Sequence, residues 1–199
     1  GSFGVGFYAY STNGYLDISF NYSYTTTQLN TTQDLYLRTD IGDISINYND
    51  TKMEETIQVN MSICMNGPFL GGKKYTDYFS PITWQNTSNI ASFSLKQIKN
   101  RWPGRDNWFY RDGNHLKITL RTDLIYNITA LSNEGNIKIL VPENITLNNL
   151  NFTTSFGAVA IFANRSNFNG DLLLYSDIGE MHLNFTKCVF GGNVNSITY

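Results

Sequence analysis

Apolar and polar residues alternate along most of this chain with a period of two. In YLDISFNYS, Leu16, Ile18 and Phe20 share one face, and Asp17, Ser19 and Asn21 share the other. ETIQVNMSICM places Ile57, Val59, Met61 and Ile63 on one side against Gln58, Asn60 and Ser62, and EMHLNFT sets Met181, Leu183 and Phe185 on one face. The stretch HLKITLRTDLIYNITAL carries Leu116, Ile118, Leu120, Leu124, Tyr126 and Ile128 at even positions and reads as one long strand with a face in a core. No segment keeps a convincing helical stripe, so the pattern predicts an all-β fold.

A degenerate repeat overlies the alternation. LRTDIGDISIN at 37–47 resembles LYSDIGEMHLN at 174–184. More loosely, a Thr or Ser, two residues, a Gly and then apolar residues two and four positions later recur around Gly14, Gly42, Gly135, Gly157 and Gly179. The last three glycines are spaced by 22 residues, whereas 48–130 interrupt the series. Each unit reads as strand, tight turn, strand, since glycine tolerates turns closed to other residues. The period fits a β-solenoid coil, as in adhesins with similar Ser-x-x-Gly repeats, and fits successive hairpins of a sandwich equally well.

Composition changes the picture of the surface. Charged residues make up 15% of the 199, well under the roughly 25% of ordinary domains, and the polar surface falls to Asn, Thr, Ser and Tyr. A net charge of −2 lacks the basic footprint of a nucleic-acid binder. No apolar run reaches the length of a membrane span. A start at Gly1 fits a mature chain after removal of a signal segment.

Acceptor motifs for N-linked glycans, Asn-X-Ser/Thr, occur at Asn21, Asn30, Asn49, Asn60, Asn86, Asn127, Asn144, Asn151, Asn164 and Asn184. With 25 Asn and 35 Ser plus Thr in 199 positions, chance places about four, so ten points to a glycosylated extracellular protein, with a plain composition effect as the alternative. Asn21, Asn60, Asn127 and Asn184 all fall on the polar phase of their strands, as a glycan requires. Cys64 and Cys188, the only cysteines, would be expected to pair in an oxidising compartment, stabilising by up to about 5 kcal/mol; two buried thiols are the other reading.

The motifs of catalysis are largely missing. His115 and His182 have no neighbouring ligands at metal spacing, and no nucleophile elbow, phosphate loop or dinucleotide fingerprint occurs. Asp40, Asp43, Asp177 and Glu180 flank turn glycines, where Asp commonly caps its own backbone; calcium there is the minor alternative. A carboxylate pair assembled only by the fold, as in a glycosidase, stays open. The expectation is a non-enzyme needing no cofactor or metal. RWPGRDNWFYRDGNH, 101–115, offers Trp102 and Trp108 as a candidate sugar platform, although a loop folding its aromatics onto the core is the commoner use.

The opening GSFGVGFYAYSTNG alternates glycine with Phe3, Val5, Phe7 and Ala9. STNG can turn it into a local hairpin with 15–22. Alternatively the segment adds to a sheet edge of another molecule, main-chain bonds supplying affinity and alternate side chains filling pockets. Repeated head to tail, that contact does not close and builds a filament.

The glycine-alternating terminus, the low-charge Tyr/Asn/Thr-rich β pattern and the density of acceptor motifs resemble the thread pilins of Sulfolobus-type archaea. That resemblance implies subunits similar to bacterial type-I pilins, joined by donor-strand complementation, with Phe3, Val5, Phe7 and Ala9 as donor residues. It implies an immunoglobulin/pilin-like β-sandwich over 13–199, completed by a donor strand (1–12) from a neighbour, with a β-solenoid adhesin as the alternative. Identical subunits are then the partners, with surface glycans as further candidates, in an extracellular filament that supports adhesion or biofilm formation. Few charges also suit a hot, acidic exterior, where ionised pairs lose their value. A carbohydrate-binding adhesin is the second functional reading.

Overall fold

The computed structural model describes residues 5–10, 15–49, 53–66, 72–98 and 113–199. The chain is all-β, as expected. Its strands are β1 (Val5–Tyr10), β2 (Tyr15–Tyr24), β3 (Gln33–Ile41), β4 (Asp43–Tyr48), β5 (Ile57–Asn66), β6 (Thr83–Thr87), β7 (Ile90–Leu95), β8 (His115–Leu120) and β9 (Tyr126–Glu134). There follow β10 (Ile137–Val141), β11 (Thr146–Leu147), β12 (Leu150–Phe156), β13 (Val159–Asn164), β14 (Asn167–Phe168), β15 (Leu172–Ile178), β16 (Met181–Thr186), β17 (Val189–Phe190) and β18 (Val194–Thr198). An eight-stranded sheet, β1-β2-β5-β8-β4-β10-β13-β16, and a seven-stranded sheet, β18-β15-β12-β9-β3-β7-β6, enclose one core; a narrow sheet, β11-β14-β17, closes a third side.

Connectivity is where the structure departs from the expected immunoglobulin-like sandwich. From β9 onward the chain winds as a solenoid: β9, β10 and β11 form one coil, β12, β13 and β14 the next, β15, β16 and β17 the third, and β18 starts a fourth. Equivalent strands pair in parallel, Leu150 with Ile128 and Leu172, and Ile161 with Ile139 and Leu183. This is the solenoid alternative, and its step is the 22-residue period read from the glycines. Stacking repeats the inward positions in file, so Ile128, Leu150 and Leu172 are all buried, as are Ile137 and Val159.

The interruption at 48–130 also has a structural cause. β3 and β4 belong to the same stack, directly beneath β9 and β10, but bonds between these coils join residues 93 apart in place of 22. The intervening chain goes down rather than up. It lays β7 under β3 and β8 under β4 as one more parallel coil and adds antiparallel β5 and β6 beyond it, one on each sheet, while β2 and β1 from the start of the chain extend the sheet beyond β5. The result is a coil stack with an antiparallel cap at one end.

Two expectations change with this arrangement. The stretch 115–131 is not one strand; it breaks at 121–125, and β8 and β9 lie in different sheets, although Leu120, Leu124 and Tyr126 keep a common inward phase and are all buried. Within the opening segment, expected as a separate tail over 1–12, the described residues 5–10 are a strand of the main sheet. β1 pairs within its own chain, from Val5 with Asn21 to Tyr10 with Leu16, which is the local hairpin the sequence also allowed. The register sets Val5, Phe7 and Ala9 opposite Asn21, Ser19 and Asp17, the polar positions of β2; Phe3 and Gly14 lie outside the described residues.

The coils are fastened at their corners by short polar residues. Ser132 Oγ donates to the Gly42 carbonyl at 3.1 Å, Thr154 Oγ1 to Gly135 at 2.8 Å, Ser176 Oγ to Gly157 at 2.8 Å and Thr198 Oγ1 to Gly179 at 2.8 Å. Each hydroxyl therefore reaches the glycine of the preceding coil. Gly135 and Gly157 sit at φ of +153° and +154°, and a Cβ on Gly157 would overlap the Gly135 carbonyl. Glycine is required at this corner both for its backbone angle and for its close approach to the preceding coil. At another corner the Oδ1 atoms of Asn127, Asn149 and Asp171 accept the backbone N–H of Asn149, Asp171 and Asn193, at 3.1, 2.8 and 2.8 Å.

Gly157→Ala is expected to cost about 3 kcal/mol through strain and overlap, lowering Tm by roughly 6–12 °C. Thr154→Val, which keeps the shape and removes the donor, should cost about 1–3 kcal/mol. Thermal denaturation reads both; unchanged melting in both variants would show that the corner ladder does not hold the coils together.

Tyr48 tests the core. Its buried hydroxyl has no hydrogen-bond partner among the described residues, so Tyr48→Phe should be neutral or stabilising near pH 7. Burial, then the nearby Tyr126, raise its phenol well above 10.0. Below about pH 10 the folded and unfolded chains both hold that proton. Above it, the unfolded chain loses the proton first, so stability falls by about 1.4 kcal/mol per pH unit for each such tyrosine. Denaturant midpoints measured between pH 8 and 11 should fall less steeply in Tyr48→Phe; parallel profiles would remove Tyr48 as a cause.

Candidate functional site

The candidate functional residues read from the sequence are spread over the outer faces of the described stack. Burial alternates along β9 and β12 and through most of the other long strands, so the polar phase points away from the core. Nine of the ten acceptor asparagines fall on it or in loops, Asn86 lies on the core-side phase of the edge strand β6, and none is buried. Asn21, Asn30, Asn86, Asn144, Asn151 and Asn184 are exposed, while Asn49, Asn60, Asn127 and Asn164 are partly exposed. Asn144 occupies a corner with φ of +62°, a left-handed position asparagine tolerates better than most residues.

The acceptors are not equivalent. Asn60 Nδ2 donates to Asn21 Oδ1 at 2.6 Å, and the two residues face each other directly on β5 and β2. Asn127 donates to Asp34 Oδ1 at 2.7 Å and accepts from both the side chain and the backbone of Asn149. Asn164 donates to Glu143 Oε1 at 2.6 Å. Part of the asparagine excess thus serves the coil corners: Asn136, Asn149 and Asn193 are bonded there without lying in acceptor motifs.

The two cysteines do not meet. Cys64 is on β5 and Cys188 follows β16, five strand positions away in the same sheet, or about 24 Å at the usual strand spacing. A disulfide needs Cα atoms within about 7 Å. The pairing expected from compartment alone is therefore corrected: no disulfide joins them, and both are thiols, Cys64 buried and Cys188 half-buried.

The carboxylates near the turn glycines are occupied in structural bonds. Asp43 Oδ1 accepts the Asn136 N–H at 2.7 Å, and Asp40 accepts from Arg38 Nε and from the backbone of Gln97. His182 Nε2 lies 2.9 Å from Glu180, and His115 Nδ1 is 3.8 Å from Asp43. Among the described residues no group of three or more His, Cys, Asp or Glu could hold a metal ion. Trp102 and Trp108 lie outside the described residues. No described helix is long and apolar enough to cross a membrane.

Sequence reasoning missed one feature, an open groove of about 450 Å³ on the outer face of the eight-stranded sheet. Leu140 and Phe162 form its apolar floor, and Asn47, Asn164, Asn184 and Thr186 place amides and a hydroxyl around them. Lys138 Nζ stands 5.4 Å from the centre of the Phe162 ring. The signal was the pair of apolar residues on the otherwise polar phase of two strands, at Leu140 and Phe162, 22 positions apart.

No family model matches this chain, and no curated protein matches it. Among solved structures it is similar to a protein from Clostridium sporogenes named for a proposed role in cell adhesion, at 12% identity and a TM-score of 0.47, with both chains covered completely. It is also similar to proteins named as proposed adhesins from Bacteroides fragilis and Parabacteroides merdae. These show 11% and 8% identity, TM-scores of 0.29 and 0.28, and cover 91% and 96% of this chain and 97% and 99% of their own.

Because Asn21 and Asn60 stand directly opposite, two sugars attached there would compete for the same space and break their shared hydrogen bond. Intact-mass and glycopeptide analysis of native protein should find either one occupied but not both on the same molecule; a doubly modified species would show that the strands part or that the glycans diverge freely.

Proposed function

We propose that this chain is a structural, non-catalytic subunit of a glycosylated extracellular filament built from identical copies, with adhesion or biofilm formation as its role. The observation that carries the reading is the distribution of acceptor asparagines. Ten are spread over the whole length of the stack, and the fold buries none of them. A protein meant to be coated needs its acceptors outside and its stability inside, and the corner ladders supply that stability mostly with neutral hydroxyls, amides and carbonyls, Asp43 and Asp171 being the carboxylates among them.

That economy of charge fits a harsh exterior. The exposed pair of Arg165 with Glu143 is of a kind worth little to stability, so protonating such carboxylates removes little. The hydroxyl-to-carbonyl and backbone bonds of the coils do not titrate in acid. The chain acts through surface and shape, and identical copies are its main partners.

A second reading, binding of saccharides, is favoured by the Leu140 and Phe162 groove. An exposed ring flanked by amides is suited to a sugar's apolar face and hydroxyls. Phe162→Ala should abolish saccharide binding on a glycan array if that reading holds, with melting unchanged.

Electron microscopy and glycopeptide mapping of material sheared from the native cell surface test the main proposal. The expected result is glycosylated polymers of this chain that persist near pH 2. Unglycosylated monomers, or polymers that dissociate on mild acidification, would overturn it.

A further inference from the structure

Where the eight-stranded sheet is built from β4, β10, β13 and β16, its outer face is polar except at one place. The outward positions carry Asp, Ser, Asn, Lys, His and Thr, and apart from the small Ala160 only Leu140 and Phe162 are apolar. They are 40% and 38% exposed, and the parallel register makes them direct neighbours. Singly exposed apolar residues are ordinary, but these two together form the floor of a groove.

The same register sets a glycan acceptor beside that floor. Phe162 pairs with Leu140 on one side and with Asn184 on the other, so the three side chains stand in one row across β10, β13 and β16. The row continues to β4, where Ile46 pairs with Ile139 and the next residue, Asn47, lines the groove. From Asn184 to Asn47 is three strand spacings, roughly 14 Å. Lys138 Nζ approaches the Phe162 ring from β10, on the side away from Asn184, and stands 5.4 Å from its centre.

Two acceptors border Phe162, and their amides differ. Asn164, two residues along β13, is half-buried and donates to Glu143 Oε1 at 2.6 Å. The hydroxyl of its motif, on Ser166, is turned inward and donates to the Pro142 carbonyl at 2.7 Å. Asn184 is exposed. Its Oδ1 accepts from the Thr186 hydroxyl at 3.4 Å, and among the described residues its Nδ2 donates to nothing. Nδ2 is the atom to which an N-linked sugar is joined, so the acceptor directly opposite the ring is also the one whose amide is free for it.

We propose that the groove seats the chain's own N-glycan, the first sugar on Asn184 lying over the Phe162 ring and the next reaching across Leu140 toward Asn47. The proposal rests on the glycosylated surface read above and gives the groove an occupant that is covalently held. A pyranose carries C–H groups on one face and hydroxyls at its rim. The face suits an aromatic ring, and the hydroxyls suit the Asn47 amide and the Lys138 ammonium. Tethering at Asn184 also removes most of the translational freedom that a free saccharide would lose on binding. Attachment forms a bond between Nδ2 and the anomeric carbon while the C1–O bond of a lipid-linked sugar phosphate breaks. The phosphate leaves with the electron pair, and the amide gives up one proton.

The whole chain made in its native host, and again in a host without N-glycosylation, tests this. Glycopeptide mapping of the first should find Asn184 occupied. In that material Phe162→Ala and Asn184→Gln should each lower Tm by about 2–5 °C, and the double variant should melt no lower than the single ones. In the chain without glycans, Phe162→Ala should leave melting unchanged. Proton signals of the first sugar should lie upfield, shifted by the ring, and should return in Phe162→Leu, which keeps an apolar side chain and removes the ring. An empty Asn184 on a chain glycosylated elsewhere, additive melting losses, or sugar signals indifferent to Phe162→Leu would each overturn the seat and leave the filament reading standing. Binding of free saccharides through Phe162 by protein fully occupied at Asn184 would also overturn it, in favour of the saccharide-binding reading. Native material with no glycan on any acceptor would sink both the seat and the glycosylated filament.

Discussion

The whole stack depends on one recurring contact, a Ser or Thr hydroxyl reaching down to the carbonyl of the glycine in the coil below. It fixes the spacing of the coils at the corner where the chain passes from one main sheet to the other. A side chain at the glycine is also forbidden, since the preceding coil's backbone already fills that space. Once the corner is set, the strands on either side are held in parallel register, and every inward position falls above its counterpart. The buried files of Ile, Leu, Val and Phe follow from that alignment.

A second corner, made from Asn127, Asn149, Asp171 and Asn193, repeats the same logic with side-chain carbonyl and carboxylate oxygens accepting backbone N–H groups. Both corners satisfy backbone groups that a tight bend would otherwise leave bare. Neither requires a cation. The shortage of charged residues and the excess of Asn, Ser and Thr are thus partly consequences of how the coil closes, and the same residue types on the outer phase create glycan acceptors.

The two ends of such a stack are unlike each other by construction. A parallel coil offers the same edge at each step, so something must stop it. Here the stop is antiparallel: β8 passes to β5, β2 and β1, and β7 to β6. Among the described strands, β16 carries half-buried core-side residues and β18 exposed ones. Every described strand, β1 included, is paired within its own chain.

The all-β class, the inward phase of each strand, the Ser/Thr-x-x-Gly corners, the 22-residue step and the outward placement of the acceptor asparagines were determined by the sequence alone, because each depends on local periodicity or on one residue's backbone freedom. Tertiary structure decided the rest. Nothing local shows that β5 to β8 lie beneath β3 and β4, since strand neighbours distant in sequence are chosen by which edges remain to be covered. The same holds for the break between β8 and β9, which share one phase but serve two sheets, and for the opening segment, whose glycine alternation suits a hairpin as well as a groove. Cys64 and Cys188 give the plainest case. Their number and compartment favour a bond, but the distance between β5 and the end of β16 is set by how many strands lie between them, and only the assembled sheet contains that quantity.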